Sequence, residues 1–173
     1  MVLFLVAEVM FFAGLVSAYV VLRTGAPEWR PAGLPPLARG LSVSNCALLC
    51  LSAVSTVLAQ RRGRHRDTSG IKLYLLVTLA IGATFVGVQV YEIQRLSRVV
   101  PYTGSIFGNV FYTLIALHGV HVLGGLVGLA VVLYRAARGR FEGVRPVAVD
   151  LFALYWYFVI AVWIFLFFAL YVV

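Results

Sequence analysis

The sequence predicts an all-α, polytopic membrane protein, a bundle of five transmembrane helices. Of its 173 residues, 62% are hydrophobic and only 12% are charged, whereas soluble globular chains carry about 25% charged residues. The mean hydropathy is +1.00. The apolar residues also lie in five long runs, and a helix needs about 20 such residues to cross about 30 Å of hydrocarbon. A water-soluble protein is therefore excluded.

The five predicted helices form a single transmembrane domain over residues 1–173 and cover residues 2–23, 41–60, 71–95, 105–134 and 147–173. None of the runs alternates with the period of two that a membrane β-barrel requires. The first run has no basic leader and no small-residue cleavage pattern, so we expect it to stay as a helix rather than to be removed as a signal peptide. The fourth run is longer than a straight crossing needs, which indicates tilt or projection from the bilayer.

The net charge of +8 does not indicate nucleic-acid binding, because the basic residues are confined to the loops. Basic residues near the ends of spans favour the cytoplasmic side. Nine follow the second and fourth runs, and five lie at the other ends: Arg61, Arg62, Arg64, Arg66, Lys72, Arg135, Arg138, Arg140 and Arg145 against Arg23, Arg30, Arg39, Arg95 and Arg98. The count predicts an inside N-terminus and an outside C-terminus. The longest loop, residues 24–40, contains four prolines and is predicted to be extended.

Few ionisable or strongly polar groups lie within the runs, and each is costly to place in lipid. Glu8 lies two turns into the first run, His118 and His121 lie near the middle of the fourth, and Gln89 and Glu92 lie near the end of the third. A heme held by two histidines of different helices is disfavoured, because no other run contains a histidine. A carboxylate-bridged metal site is disfavoured as well, because the usual Glu-x-x-His pattern is missing.

Small residues predict how the helices that contain these polar groups pack. Gly124 and Gly128 fit the small-xxx-small pattern that allows close approach of two helices, and Ala7, Gly14 and Ala18 form a similar stripe on the first helix. Packing of the first helix against the fourth would place Glu8 near the histidine pair. The polar side chains of the second helix are expected to hydrogen-bond to neighbouring helices, namely Asn45, Ser52, Ser55 and Thr56.

Two further pairs have a packing interpretation and a functional one. Cys46 and Cys50, four residues apart, share a helical face and are expected to pack as small apolar residues. Trp156 and Trp163, seven residues apart, mark one face of the aromatic fifth helix. That face suits core packing first, and a lipid chain or a partner helix second.

Several segments of the sequence resemble those of a known family. Three segments resemble subunit III of heme-copper cytochrome c oxidases: Glu8-Val-Met-Phe-Phe-Ala-Gly14, Gln89-Val-Tyr-Glu92 and above all His118-Gly-Val-His121-Val, which follows Ser105-Ile-Phe-Gly and Phe111-Tyr as in the family's phenylalanine-rich signature. The final helix, Tyr155-Trp-Tyr-Phe-Val-Ile160, is similar as well. The motifs span nearly the whole chain in the family's order, in a short five-helix form.

The resemblance implies an accessory subunit without heme, copper or catalytic residues, packed on oxidase subunit I, with subunit II and a small subunit IV in the complex. The hemes and copper would lie in those partners, in a prokaryotic cytoplasmic membrane. It also implies a V-shaped bundle with a cleft for phospholipid, supporting sustained oxygen reduction and proton uptake. Glu8, His118 and His121 match the family's buried glutamate and paired histidines, and Arg23 matches a helix-end basic residue suited to a lipid phosphate; Trp156 and Trp163 join this candidate set, with Gln89 and Glu92 as polar support.

The final helix departs from the family pattern at two positions. The family commonly has histidine where Tyr157 stands and aspartate where Ile160 stands, so a polar pair is expected to be lost and a proton-related role of that face is in doubt. An equivalent subunit of a quinol oxidase or of a nitric-oxide reductase complex therefore remains open. A small proton-conducting transporter also remains open, although the repeats that would favour it are not evident.

Overall fold

The computed structural model describes residues 1–26, 29, 39–65, 67–98, 106–139, 141 and 146–172. They form five long α-helices: α1 Val2–Gly25, α2 Arg39–Arg64, α3 Thr68–Ser97, α4 Ile106–Ala137 and α5 Val147–Phe167. A π-helical turn, Phe168–Val172, ends the last helix. All five are long and apolar enough to cross a membrane, and no strand occurs in the part of the chain that is described. The predicted all-α membrane bundle is confirmed.

Helices α1 to α4 run longer than the apolar runs that predicted them, whereas α5 with its π-helical turn does not. The 32 residues of α4 correspond to about 48 Å of helix, against about 30 Å of hydrocarbon. The observed length agrees with the expected tilt or projection. The predicted extended loop at residues 24–40 lies largely outside the described residues.

Four helices form the centre of the bundle. Contacts join α2 to α3, α3 to α4, α4 to α5, and α5 back to α2. Near one end Gly63 of α2 faces Pro146 before α5 and Ile71 of α3. We call this the Arg-rich end, because α2 and α4 finish there in arginines. Helix α1 packs mainly against α4 and α5 and lies outside this ring.

The closest pair, α2 and α3, has regularly spaced buried residues. On α3 they recur every three or four positions: Ile71, Leu75, Thr78, Gly82, Phe85, Gln89 and Glu92. On α2 the series is Ser42, Asn45, Leu49, Ser52, Thr56 and Ala59. An average spacing of 3.5 is the pattern of helices that wrap around one another with a left-handed twist. Polar residues occupy many of these positions, so the predicted hydrogen-bonding role of α2 has a geometric basis.

The indole of Trp156 fills the middle of the ring and is fully buried. A Cβ added at Gly125 of α4 would lie 2.8 Å from this indole, and one added at Gly82 of α3 would lie 3.2 Å from it. Both distances are shorter than side-chain carbons normally allow. The two glycines therefore let α3 and α4 approach the Trp156 indole from either side.

Candidate functional site

Helix α1 meets the four-helix ring at two polar contacts about three turns apart. At the first, Nε2 of His121 lies 2.8 Å from Oε2 of Glu8. At the second, the hydroxyl of Tyr19 donates to the carbonyl of Ala169 at 2.6 Å. Only Phe12 and Tyr19 are buried on α1. These two contacts and the surface between them form the candidate functional site.

The Glu8–His121 contact shares one proton between two groups. Nδ1 of His121 lies 2.7 Å from the carbonyl of Leu117, which can only accept, so Nδ1 carries a proton. The proton between Nε2 and the carboxyl oxygen then sits on either atom, giving an ion pair or a neutral pair. The side chains of His121 and Glu8 are only 15% and 18% exposed, so a charge on either one without the other would be costly.

Aromatic rings surround this pair. Phe12 lies edge-on to the His121 ring at 4.9 Å between centroids, and Phe11 stacks at 6.2 Å. The hydroxyl of Tyr155 donates to the backbone carbonyl of His121 at 2.9 Å. The expected approach of the first and fourth helices near Glu8 is therefore observed for His121.

The side chain of His118 has different neighbours from that of His121. Its ring is 1% exposed and stacks on Trp163 of α5 at 5.1 Å, with Phe85 of α3 edge-on. Three positions on a helix turn the side chain by about 300°, enough to point the two rings to different neighbours. His118 belongs to the ring of four helices, and His121 faces α1.

The Tyr19 contact holds α1 at the other end of the bundle. Nη1 of Arg23 donates to the Tyr19 hydroxyl at 2.7 Å, and this hydroxyl donates in turn to the carbonyl of Ala169. Ala169 lies in the π-helical turn that ends the last helix. Trp29 covers the Tyr19 ring edge-on at 5.4 Å. Arg23 thus lies at a helix end, as the sequence predicted, within an aromatic cluster.

Apolar grooves flank the Glu8–His121 contact because α1 stands away from the ring elsewhere. The first groove, about 490 Å³, lies between α1 and α5 and is lined by Val9, Phe12, Ala13, Val16, Ser17, Phe158, Ala161, Val162, Phe165 and Leu166. The second, about 500 Å³, lies between the start of α1 and helices α4 and α5, with Met1, Phe4, Gly124, Gly128 and Tyr155 among its walls. Both are almost wholly apolar.

Trp156 and Trp163 line neither groove and are fully buried. The Nε1 of Trp156 donates to Ser52 Oγ at 2.9 Å. Of the two interpretations of this aromatic face, core packing is the one observed. The cysteines also divide: Cys46 packs against the main core, and Cys50 is exposed.

Gln89 and Glu92 lie on the buried α2–α3 interface. Asn45 Nδ2 donates to Gln89 Oε1 at 3.1 Å, and the Ser42 hydroxyl donates to Glu92. Glu92 is only 6% exposed, so it is packed between helices and does not simply face the membrane–water interface. Both side chains support the packing of these two helices.

Sequence reasoning missed a polar contact at Tyr157. Its hydroxyl donates to Gln60 Oε1 at 2.8 Å, and Gln60 Nε2 donates to Asp150 at 3.0 Å. The expected loss of a polar pair at this face is thus partly offset by a tyrosine that reaches α2. A polar residue at position 60, at the end of an apolar run, was the available signal.

No group of three or more histidine, cysteine, aspartate or glutamate side chains that could hold a metal ion occurs within the described ranges. The location of hemes and copper in partner subunits stays a prediction.

Comparison with known proteins supplies the family. A family model described as cytochrome c oxidase subunit III matches residues 1–173. "Cytochrome c oxidase subunit 3" of a Synechocystis species is 36% identical over 171 residues, covering 98% of this chain and 72% of that protein. "Probable cytochrome c oxidase subunit 3" of Nocardia farcinica is 34% identical, covering 99% and 85%. "Cytochrome c oxidase subunit 3" of Bacillus subtilis is 30% identical, covering 98% and 82%.

Proposed function

Because this chain belongs to the cytochrome c oxidase subunit III family, we propose that it is the noncatalytic subunit III of a respiratory heme-copper cytochrome c oxidase. It packs directly on subunit I, which holds the hemes and copper, in a complex with subunit II and a small subunit IV. It lies in a prokaryotic cytoplasmic membrane. Its own part is to bind phospholipid and to support sustained oxygen reduction and proton uptake.

The grooves beside α1 are the observation that carries the lipid-binding proposal. Two open apolar spaces of about 490 and 500 Å³ lie along a helix that is otherwise held by polar contacts. In a membrane such spaces are filled by acyl chains. Together they correspond to the cleft that the family resemblance implies, and Arg23, at the end of α1, is the candidate for a lipid phosphate.

Support of proton uptake is assigned to the Glu8–His121 contact. The proton between Nε2 and the carboxyl oxygen can move from one atom to the other without moving either side chain, because they are already 2.8 Å apart. Ionisable groups at membrane depth are functional candidates by default. His118 has no such partner, so we place it in the packing of the ring.

The charges of the described residues support the proposed orientation. At the Arg-rich end lie six basic side chains: Arg61, Arg62, Arg64, Lys72, Arg135 and Arg138. At the opposite end lie Arg23, Arg95 and Arg98. Since basic residues favour the cytoplasmic side, the Arg-rich end faces the cytoplasm and the N-terminus of α1 lies inside.

The experiment that tests the assignment is purification of the tagged chain from native membranes in mild detergent. The expected result is copurification of a heme-copper subunit I, with heme bands in the reduced-minus-oxidised spectrum that are lost when this chain is isolated. Oxygen consumption with cytochrome c as donor, and its failure with quinol, separates the proposed complex from a quinol oxidase. Purification alone, without heme but with proton flux in liposomes, would instead indicate a transporter.

Lipid binding is tested separately by filling the first groove. Ala13 lines that groove, and Ala13→Phe should lower the phospholipid that copurifies with the complex and shorten activity during continuous turnover. Ala7→Phe is the matched control, because Ala7 is an exposed residue of the same helix that lines neither groove. Equal lipid content in both variants and the wild type would refute the assignment of the groove.

A further inference from the structure

Four polar side chains in the ring have buried atoms without hydrogen-bond partners. One comes from each helix, and their exposures are 0%, 5%, 1% and 0% for Asn45, Gln89, His118 and Trp163. Among the described residues the atoms without a partner include Oδ1 of Asn45, Nε2 of Gln89, both ring nitrogens of His118 and Nε1 of Trp163. Buried polar atoms of this kind are uncommon in folded proteins. Here they come from residues that are close together.

Two direct contacts and the position of Phe85 place the four residues in one region. Asn45 and Gln89 are hydrogen-bonded to each other at 3.1 Å, and the rings of His118 and Trp163 stack at 5.1 Å. Phe85 lies one turn before Gln89 on the same buried stripe of α3. Its ring is 5.1 Å from that of Trp163 and 6.4 Å from that of His118. The two polar pairs are therefore neighbours in one part of the core.

This part of the core is the half away from the Arg-rich end. Asn45 lies six residues after the start of α2 at Arg39, and Gln89 eight residues before the end of α3 at Ser97. The Ser42–Glu92 hydrogen bond lies one turn further toward the membrane surface. The polar atoms thus extend from near one surface toward the middle of the bundle.

The four side chains cannot satisfy one another. The His118 and Trp163 rings are inclined by only 25°, so the in-plane nitrogens of one ring do not point at those of the other. Exchanging nitrogen and oxygen in both amides would still leave one donor and one acceptor unpaired. A neutral imidazole adds one donor and one acceptor, and the indole adds a donor. The missing partner must therefore both donate and accept.

We propose that ordered water occupies this part of the core, hydrogen-bonded to Asn45, Gln89, His118 and Trp163. Water donates two hydrogen bonds and accepts two, and buried water typically has two to four polar partners. A cation does not suit the site, because several N–H groups face it. An anion does not suit it either, because none of these four side chains carries a positive charge that would offset burial. The water extends the polar network of Glu92 to His118 in the interior, independently of which complex the chain joins.

The test is hydroxyl-radical footprinting of the intact complex by synchrotron irradiation, which oxidises side chains beside bound water even where bulk water is excluded. Trp163 and Trp156 are a matched pair within one helix, because both are fully buried. The Nε1 of Trp156 is already bonded to Ser52. We expect Trp163 to be oxidised several-fold faster than Trp156, with the partly exposed Trp29 as a positive control. Equal, slow oxidation of the two buried indoles would overturn the proposal.

A variant locates the water without changing the aromatic stack. His118→Phe removes both ring nitrogens, and oxidation of Trp163 should fall toward the rate of Trp156. Persistent fast oxidation in an assembled complex would show that His118 does not hold the water and would refute the site. If this variant does not assemble, the double substitution Asn45→Leu with Gln89→Leu should give the same decrease, and unchanged oxidation there would refute it equally.

Discussion

Helix α1 and the α2–α3 pair are both apolar spans, yet they are held in different ways. Of the most apolar 18-residue stretch of each helix, 11% is buried in α1 against 33% in α2 and 28% in α3. The α2–α3 pair is joined along its whole length by a regular buried stripe. Helix α1 is held chiefly by the Glu8–His121 and Tyr19–Ala169 contacts, with open grooves beside them.

The difference follows from what lipid can and cannot drive. Lipid tails are as apolar as leucine, so helices associate through close packing and hydrogen bonds rather than through the hydrophobic effect. A helix with small and polar residues at every third or fourth position packs continuously. A helix with two polar contacts leaves space between them, which lipid can occupy. The ring is thus suited to structure, and the surface beside α1 to ligands.

The largest effect is expected where α4 faces the ring. Gly125→Ala would place a Cβ 2.8 Å from the rigid indole of Trp156, and overpacking of this kind costs about 1–3 kcal/mol. Gly128→Ala is the control on the same helix, because an added Cβ there meets no atom within 4 Å. Titration with SDS in detergent should show a clear decrease in the free energy of unfolding for Gly125→Ala and little change for Gly128→Ala. Equal losses would contradict the distinction between the two faces of α4.

The next effect tests how α1 is held. Glu8→Leu leaves Nε2 of His121 without its partner and should cost roughly 1 kcal/mol in the docking of α1. Glu8→Gln keeps a donor for that nitrogen but removes the shared proton, so its docking should be close to wild type. Crosslinking of α1 to α4 measures the docking of α1. The persistence of oxygen consumption over many turnovers measures the effect of losing the shared proton. Wild-type endurance in Glu8→Gln would argue against the role of Glu8 in turnover.

The sequence was sufficient for the five spans, because length and hydropathy alone decide whether a segment crosses a membrane. It also predicted the approach of Glu8 to His121, but not the packing behind it: Ala7, Gly14 and Ala18 are exposed, and a Cβ added at Gly14 would meet no atom within 4 Å. The hydrogen-bonding role of the polar residues on α2 could also be predicted. These residues recur at helical spacing, and polar groups in lipid must find partners inside the bundle.

The separate environments of His118 and His121 could not be predicted from spacing. Residues three apart lie on the same broad face of a helix, yet α4 contacts α1, α3 and α5 at once, and a rotation of tens of degrees selects the neighbour. The grooves were equally hidden, because they depend on how far α1 stands from the ring. Tyr157 was taken as a lost polar position because it stands where the family commonly has histidine. Its partner, Gln60, lies 97 residues away in sequence, so spacing could not reveal the contact.

A smaller effect is expected within the α2–α3 pair, because many other contacts also hold these two helices together. The hydroxyls of Ser55 and Thr78 lie 2.7 Å apart and are buried. A double-mutant cycle with Ser55→Ala and Thr78→Val should give a coupling of about 0.6 kcal/mol, the average for such bonds in membranes. SDS titration of the four proteins provides the values. A coupling near zero would mean that packing rather than hydrogen bonding holds this pair.

The smallest effect is expected outside the membrane, at the turn that joins α2 to α3. Asp67 caps α3 by accepting from the Gly70 N–H at 3.0 Å and lies 3.1 Å from Arg62. The Gly70 N–H first, and Arg62 after it, lower the pKa of Asp67 below its usual 3.8. A lowered pKa means that the ionised carboxylate stabilises the folded state above pH 3.8 and that this contribution is lost as the pH falls through the folded pKa.

Asp67→Ala should therefore lower the unfolding temperature at neutral pH, and the difference from the wild type should shrink in acid to the part that the uncharged capping oxygen contributes. Asp67→Asn is the matched control: it keeps the capping oxygen but carries no charge, so its smaller loss at neutral pH should disappear in acid, where the wild-type carboxyl is protonated. Thermal unfolding in nonionic detergent, followed by tryptophan fluorescence, provides the three curves. If Asp67→Ala stays less stable by the same amount at every pH, the cap acts through its geometry alone, and the turn contributes to the α2–α3 pair without an electrostatic part.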